Sequence, residues 1–76
     1  MDRILAILRD VRPEQDFEKS QNFIDEALLD SFDVVTLVTA LDETFSISID
    51  GADILPENFQ NLEAIRRLLG KNGAKL

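Results

Sequence analysis

The chain has 76 residues, 45% of them hydrophobic, and a formal charge of −7 from 15 acidic and 8 basic side chains. It contains no Cys, His, Trp or Tyr, which excludes a disulfide, a structural zinc site, a Ser-His-Asp or Cys-His nucleophile, and an imidazole base near neutral pH. All eight bases lie outside residues 20–65, where ten acids stand without one, so the middle of the chain repels nucleic acid and anionic lipid and attracts basic protein surfaces.

Residues 2–12 read as a first helix. Met1, Ile4, Leu8 and Val11 recur at steps of three and four, Leu5 and Ile7 widen the stripe, and Pro13 ends it because the residue before a proline avoids helical angles. Residues 13–29 hold no sustained period. Phe17, Phe23, Ile24, Leu28 and Leu29 predict a long ordered loop pinned to the core, with room for one short helical turn.

Residues 31–45 form the clearest helix. Val34, Leu37, Val38, Leu41 and Phe45 fall within an arc of about 100° and make the core face. The opposite face carries Phe32, Val35, Thr36, Thr39 and Glu43, with Asp42 beside it. Two large apolar residues, Phe32 and Val35, therefore point outward next to Ser31, in the manner of a docking surface ringed by acids. The alternative for Phe32 is that it tucks against the preceding loop.

Residues 46–60 are irregular. Ser46-Ile47-Ser48-Ile49-Asp50 alternates like a short isolated strand, Gly51 marks a turn, and Pro56-Glu57-Asn58-Phe59 suits one helical turn with proline first. Asn61 caps a last helix over residues 62–70, with Leu62, Ile65 and Leu69 inward, Leu68 at the margin, Arg66 and Arg67 near its C-terminal end, and Gly70 as its stop. The tail, residues 71–76, is expected to fray. The sum is a single all-α domain over residues 1–76, a small irregular bundle of three or four helices with a long first loop. Residues 1–12 are charged throughout, and no run reaches the roughly 18 apolar residues of a membrane span. The chain is expected to be a cytoplasmic monomer that inserts into no membrane.

Three features could carry chemistry. Counting Gly51 as the sixth position of a calcium loop puts Ser46, Ser48, Asp50 and Glu57 at ligand positions, but serine replaces carboxylate at two of them, so no metal is expected. The many carboxylates lie on solvated faces and imply no pocket. Ser31 stands at the head of a helix, where it could cap by accepting a backbone N–H. Asp30 can do that equally well, which frees the Ser31 hydroxyl at the end of the dipole that favours an attached anion. With no base in the chain, Ser31 reads as a passive attachment point for a partner enzyme.

Asp30-Ser31-Phe32-Asp33, followed by Val34-Val35-Thr36-Leu37-Val38-Thr39-Ala40-Leu41-Asp42-Glu43-Thr44-Phe45, resembles the acyl carrier proteins. Their mark is Asp-Ser-Leu at the start of an apolar and acidic second helix. The likeness covers nearly the whole chain, including Ile47-Ser48-Ile49 and Asn61-Leu62-Glu63-Ala64-Ile65, and is strongest over residues 28–69. Phe32 replaces the usual Leu, Leu28 stands where many members have Gly, and Thr36 and Thr44 stand where fatty-acid carriers tend to have acids. Ala27-Leu28-Leu29-Asp30-Ser31-Phe32 and Ile54-Leu55-Pro56-Glu57-Asn58-Phe59 look more like the D-alanyl carrier proteins of teichoic acid modification.

The resemblance implies that a phosphopantetheinyl transferase moves 4'-phosphopantetheine from coenzyme A onto Ser31, and that the arm's thiol then holds an acyl or aminoacyl group as a thioester. It assigns Asp30, Phe32 and Asp33 to recognition by the transferase. Val35, Thr36, Thr39, Asp42 and Glu43 would dock a loading ligase and a downstream acyltransferase or synthase. The chain itself would not be an enzyme. A D-alanyl or aminoacyl role and a fatty-acid or polyketide role both remain open. The rival from another class is a cofactor-free acidic helical module that binds a protein partner through the same face.

Overall fold

A computed structural model describes residues 2–75. Three helices, α1 (Arg3–Val11), α2 (Ser31–Phe45) and α3 (Leu62–Lys71), are joined by a long first loop and by a connector holding two single 3-10 turns, Gly51–Asp53 and Pro56–Asn58. Asp2 starts α1, its Oδ1 accepting the Ile4 N–H at 2.8 Å, so the helix begins one residue later than its apolar stripe suggests. Ile4, Leu5, Ile7 and Leu8 are buried and Val11 is half-buried; Met1 lies outside the described residues.

The first loop is ordered by its own groups. Asn22 Oδ1 accepts the N–H groups of Ile24 and Asp25, and the Glu26 carboxylate accepts those of Gln21 and Asn22. Together they enclose one helical turn, closed by Glu26 N–H to Asn22 O at 3.0 Å and Leu28 N–H to Phe23 O at 2.8 Å. The turn exits through Ala27 in the left-handed region, at φ 59°. Phe17 and Phe23 are buried and meet edge to face with centroids 5.1 Å apart, a preferred aromatic geometry. The Phe23 N–H donates to Gln60 O at 2.7 Å, tying the loop to the residues ahead of α3.

The helix over 31–45 forms with the expected bounds and the expected inward face: Leu37, Val38 and Leu41 are buried, and Val34 and Phe45 are half-buried. Ser46 leaves it at φ 55°. The alternation at 46–50 does not produce a strand among the described residues. It sorts Ile47 and Ile49 toward the core and Ser48 outward, and the backbone is held by a side chain rather than a neighbouring strand, Ile49 N–H donating to Asp42 Oδ1 at 3.0 Å. Proline begins the second 3-10 turn as expected, and Phe59 behind it is fully buried.

Asn61 caps α3, accepting the Ala64 N–H at 2.7 Å. The helix passes the expected stop at Gly70 and runs to Lys71. Its true exit is Gly73 at φ 90°, with Ala74 N–H to Leu69 O at 2.9 Å and Gly73 N–H to Gly70 O at 3.1 Å. This pair of bonds is the Schellman closure, and it packs Ala74 against the core where the sequence suggested fraying. Leu68, placed at the margin from sequence, is buried, and Leu62 is only half-buried. The three helices share one core around Leu8, Phe23, Leu37, Leu41, Phe59, Ile65 and Leu69, each worth about 1.5–3 kcal/mol of transfer free energy by its burial. This is the all-α carrier-type bundle that the resemblance implied.

Candidate functional site

The N-terminus of α2 is built by a reciprocal pair of aspartates. Asp30 Oδ1 accepts the Asp33 N–H at 2.9 Å, and Asp33 Oδ2 accepts the Asp30 N–H at 3.1 Å. This is a capping box, with a short carboxylate where Glu or Gln is usual. Asp30 makes the cap, so Ser31, the first helical residue, keeps its exposed hydroxyl outside the box.

Asp33 is only 9% exposed, and its second neighbour is Arg12, the residue that caps the C-terminal end of α1. Arg12 Nε donates to Asp33 Oδ2 at 2.8 Å, Nη2 to Asp30 Oδ2 at 3.3 Å, and Nη1 to Glu14 Oε2 at 3.2 Å. Burial pushes the Asp33 carboxyl up, but the Arg12 guanidinium and the Asp30 N–H outweigh it and hold it below the usual Asp range. The same hydrogen bond to Asp33 raises Arg12. Asp33, assigned from the resemblance to transferase recognition, thus faces Arg12 and the helix start.

On the outward face of α2, Phe32 is 83% and Val35 62% exposed, so Phe32 does not tuck against the loop. Thr36 and Thr39 are exposed too, but their hydroxyls donate back to Phe32 O at 3.1 Å and Val35 O at 3.2 Å. Glu43 is exposed. Asp42, expected on this face, is half-buried and turned to the connector that it holds through Ile49 N–H.

The sequence implied no pocket, yet one adjoins Ser31. A mainly apolar groove of about 440 Å³ is lined by Ile24, Leu29, Val34, Val35, Ile54 and Leu55, with Ser31 and Asp30 also contributing. Ile54 and Leu55 are large and exposed. They and Arg12 are the site residues that sequence reasoning missed. The signals available for the pair were two apolar residues ahead of Pro56 in a segment without a period, and the resemblance of that segment to D-alanyl carriers. Asp50, which falls at a ligand position of the calcium-loop count that the sequence did not support, accepts the Ala52 N–H at 2.9 Å and caps the first 3-10 turn.

The family described as phosphopantetheine attachment site matches residues 2–69. The chain belongs to this family. No curated protein and no solved structure matched the chain. It is therefore a phosphopantetheine-carrying protein, of a kind that is not itself catalytic and works with a phosphopantetheinyl transferase and with synthase or ligase partners. A cofactor-free interaction module, the rival expectation, does not fit this membership. The groups at the head of α2 suit the arm: an exposed hydroxyl relieved of capping, a helix N-terminus that favours an anion, and an apolar groove alongside. No helix among the described residues is long and apolar enough to cross a membrane.

Proposed function

We propose that Ser31 is the attachment residue and that the chain is an acyl or aminoacyl carrier. The observation that carries this reading is the Asp30 cap, which leaves the Ser31 hydroxyl exposed at the first position of α2. The chain holds no Cys or His, so the base that takes the Ser31 proton belongs to the transferase. Ser31 Oγ bonds to the phosphorus that bears pantetheine in coenzyme A, the pyrophosphate P–O bond breaks, and adenosine 3',5'-bisphosphate leaves. The attached arm supplies a thiol that holds cargo as a thioester.

Asp30 and Phe32 stand exposed on either side of Ser31 and face the transferase, while Asp33 acts from behind by shaping the helix start. Val35, Thr36, Thr39 and Glu43 form the docking rim, with Asp42 at its edge. Acids that stand unopposed in sequence steer basic partners there, and such rim charges act on association rate more than on affinity. Ala27–Phe32 and Ile54–Phe59 support a D-alanyl or aminoacyl cargo over a fatty-acid or polyketide one. The reading completes as a single cytoplasmic domain acting as a monomer.

The test is mass spectrometry after incubation with coenzyme A and a phosphopantetheinyl transferase. One phosphopantetheine should be gained, and Ser31→Ala should gain none. No gain in the native chain, or a gain that survives Ser31→Ala, overturns the assignment. Charging of the holo protein by an adenylating ligase with D-alanine, against the same assay with fatty acids, separates the cargo classes.

A further inference from the structure

Ser31 lies within a stretch of ten acids and no base, and Asp30 and Asp33 flank it. Its modification nevertheless brings a negatively charged phosphoryl donor to the hydroxyl and leaves a phosphodiester anion there. The N-terminus of α2 contributes roughly half a positive charge, against two full negative ones. The fold offsets most of the remainder with one full positive charge from outside the acidic stretch. Arg12, at the C-terminal end of α1, reaches both carboxylates, at 2.8 Å to Asp33 and 3.3 Å to Asp30, and gives its remaining Nη1 to Glu14 at 3.2 Å.

Other bases pair elsewhere: Arg9 with Glu18, Lys19 with Asp16, Arg66 with Asp2, Arg67 with Glu63 and Lys71 with Asp53. Among the described residues, Arg12 is the one base whose ion pairs reach the acids on both sides of Ser31. We propose that Arg12 is a positioning and charge-offsetting residue for the modification of Ser31: its guanidinium holds the Asp30–Asp33 box in capping geometry and offsets part of the carboxylate charge that would repel the incoming phosphoryl group. This rests on the assignment of Ser31 as the attachment residue.

The geometry divides the two parts of the role. The Nε bond goes to the buried carboxylate and orients it, which a planar fork does and a lysine ammonium does not. Offsetting the carboxylates needs only a positive charge. Removing the charge therefore acts on the rate of phosphoryl transfer, whereas removing the fork acts on the stability of the helix start.

The experiment measures kcat/KM for transfer from coenzyme A, and thermal stability alongside, for the native chain and for Arg12→Gln, Arg12→Lys, Asp33→Asn and Arg12→Gln/Asp33→Asn, with Arg9→Gln as a control. Arg12→Gln should lower kcat/KM about three- to tenfold at low salt, the range expected of one charge near a protein surface. The ratio to native should approach one at about 1 M salt, where the screening length falls to about 3 Å. Arg12→Lys should keep most of the rate while losing stability, and so reports on charge even if Arg12→Gln folds poorly. The double variant should regain most of the rate, and Arg9→Gln should not change it. An Arg12→Gln rate equal to or faster than native overturns the inference. So does a loss that follows thermal stability across the series and responds neither to salt nor to the second substitution. A native chain that takes up no phosphopantetheine overturns the assignment of Ser31 instead.

Discussion

Ala27 carries a left-handed backbone at the exit of the first loop's turn. At φ 59° it occupies a region that costs a residue with a Cβ about 1 kcal/mol or more. Ala27→Gly should therefore raise the denaturation midpoint, reflecting a gain of about 0.5 kcal/mol in unfolding free energy after the extra freedom of the unfolded glycine is subtracted; a lowered midpoint would show that the turn carries no strain. Asp30 behaves oppositely, and its replacement by Ala should cost about 1 kcal/mol through the lost cap. That Asp30 could cap was legible, because capping needs only its type and its place before a helical period. That Asp33 answers it was not, since the usual partner at that position is Glu or Gln. Arg12 was illegible for a different reason: its partner Asp33 lies 21 residues away, and no local period links them.

Helix positions followed from period and caps, and the bounds of α2 came out as read because Asp30 marks its start and the apolar stripe runs unbroken to Phe45. The end of α3 did not, because two glycines lie near it. Gly70 sits inside the helix with nothing within 4 Å of an added Cβ, whereas Gly73 holds φ 90°. Gly70→Ala should accordingly stabilise the protein by about 0.5–1 kcal/mol through helix propensity. Gly73→Ala should destabilise it by about 1–2 kcal/mol through the left-handed penalty. Equal effects of the two substitutions in thermal melts would contradict the Schellman closure. On α2, angular position alone placed Asp42 with the docking rim. Its partner, the Ile49 N–H, comes from a connector whose path no helical wheel contains.

For the molecule as a whole, two charged groups tie stability to acid pH. Hydrogen bonds from Asn22 and Gln21 hold the Glu26 carboxyl below its ordinary value, and Asp33 is lowered against the effect of its own burial by Arg12 and the Asp30 N–H. A carboxyl whose folded pKa is depressed contributes stability that is full above the unfolded pKa and is lost as pH falls through the folded one. The melting temperature should thus drop as pH goes below about 4, near the ordinary carboxylate values. Glu26→Gln with Asp33→Asn should flatten that drop; an unchanged profile would place the acid sensitivity elsewhere. The charge layout also makes loading depend on ionic strength, and here the structure selects the probe. Glu43→Lys alters the exposed rim alone, while reversing Asp42 would also break the bond to Ile49. Glu43→Lys should slow loading at low salt and lose its effect as salt rises; a salt-independent change would argue against steering.

Phe32 holds 83% of its surface in water in the free protein. Covering an aromatic ring of this kind contributes about 1.5–3 kcal/mol, which changes a dissociation constant by about ten- to a hundredfold. On the proposed docking face that contribution becomes available only in the complex, and Val35 and the small threonine side chains add modestly to it. Such a contribution acts mainly on how long a complex lasts, since differences in affinity between related complexes lie mostly in how fast they dissociate. A carrier must leave each enzyme before it can serve the next. On this proposal, an aromatic ring left in solvent beside Ser31 sets the length of each visit.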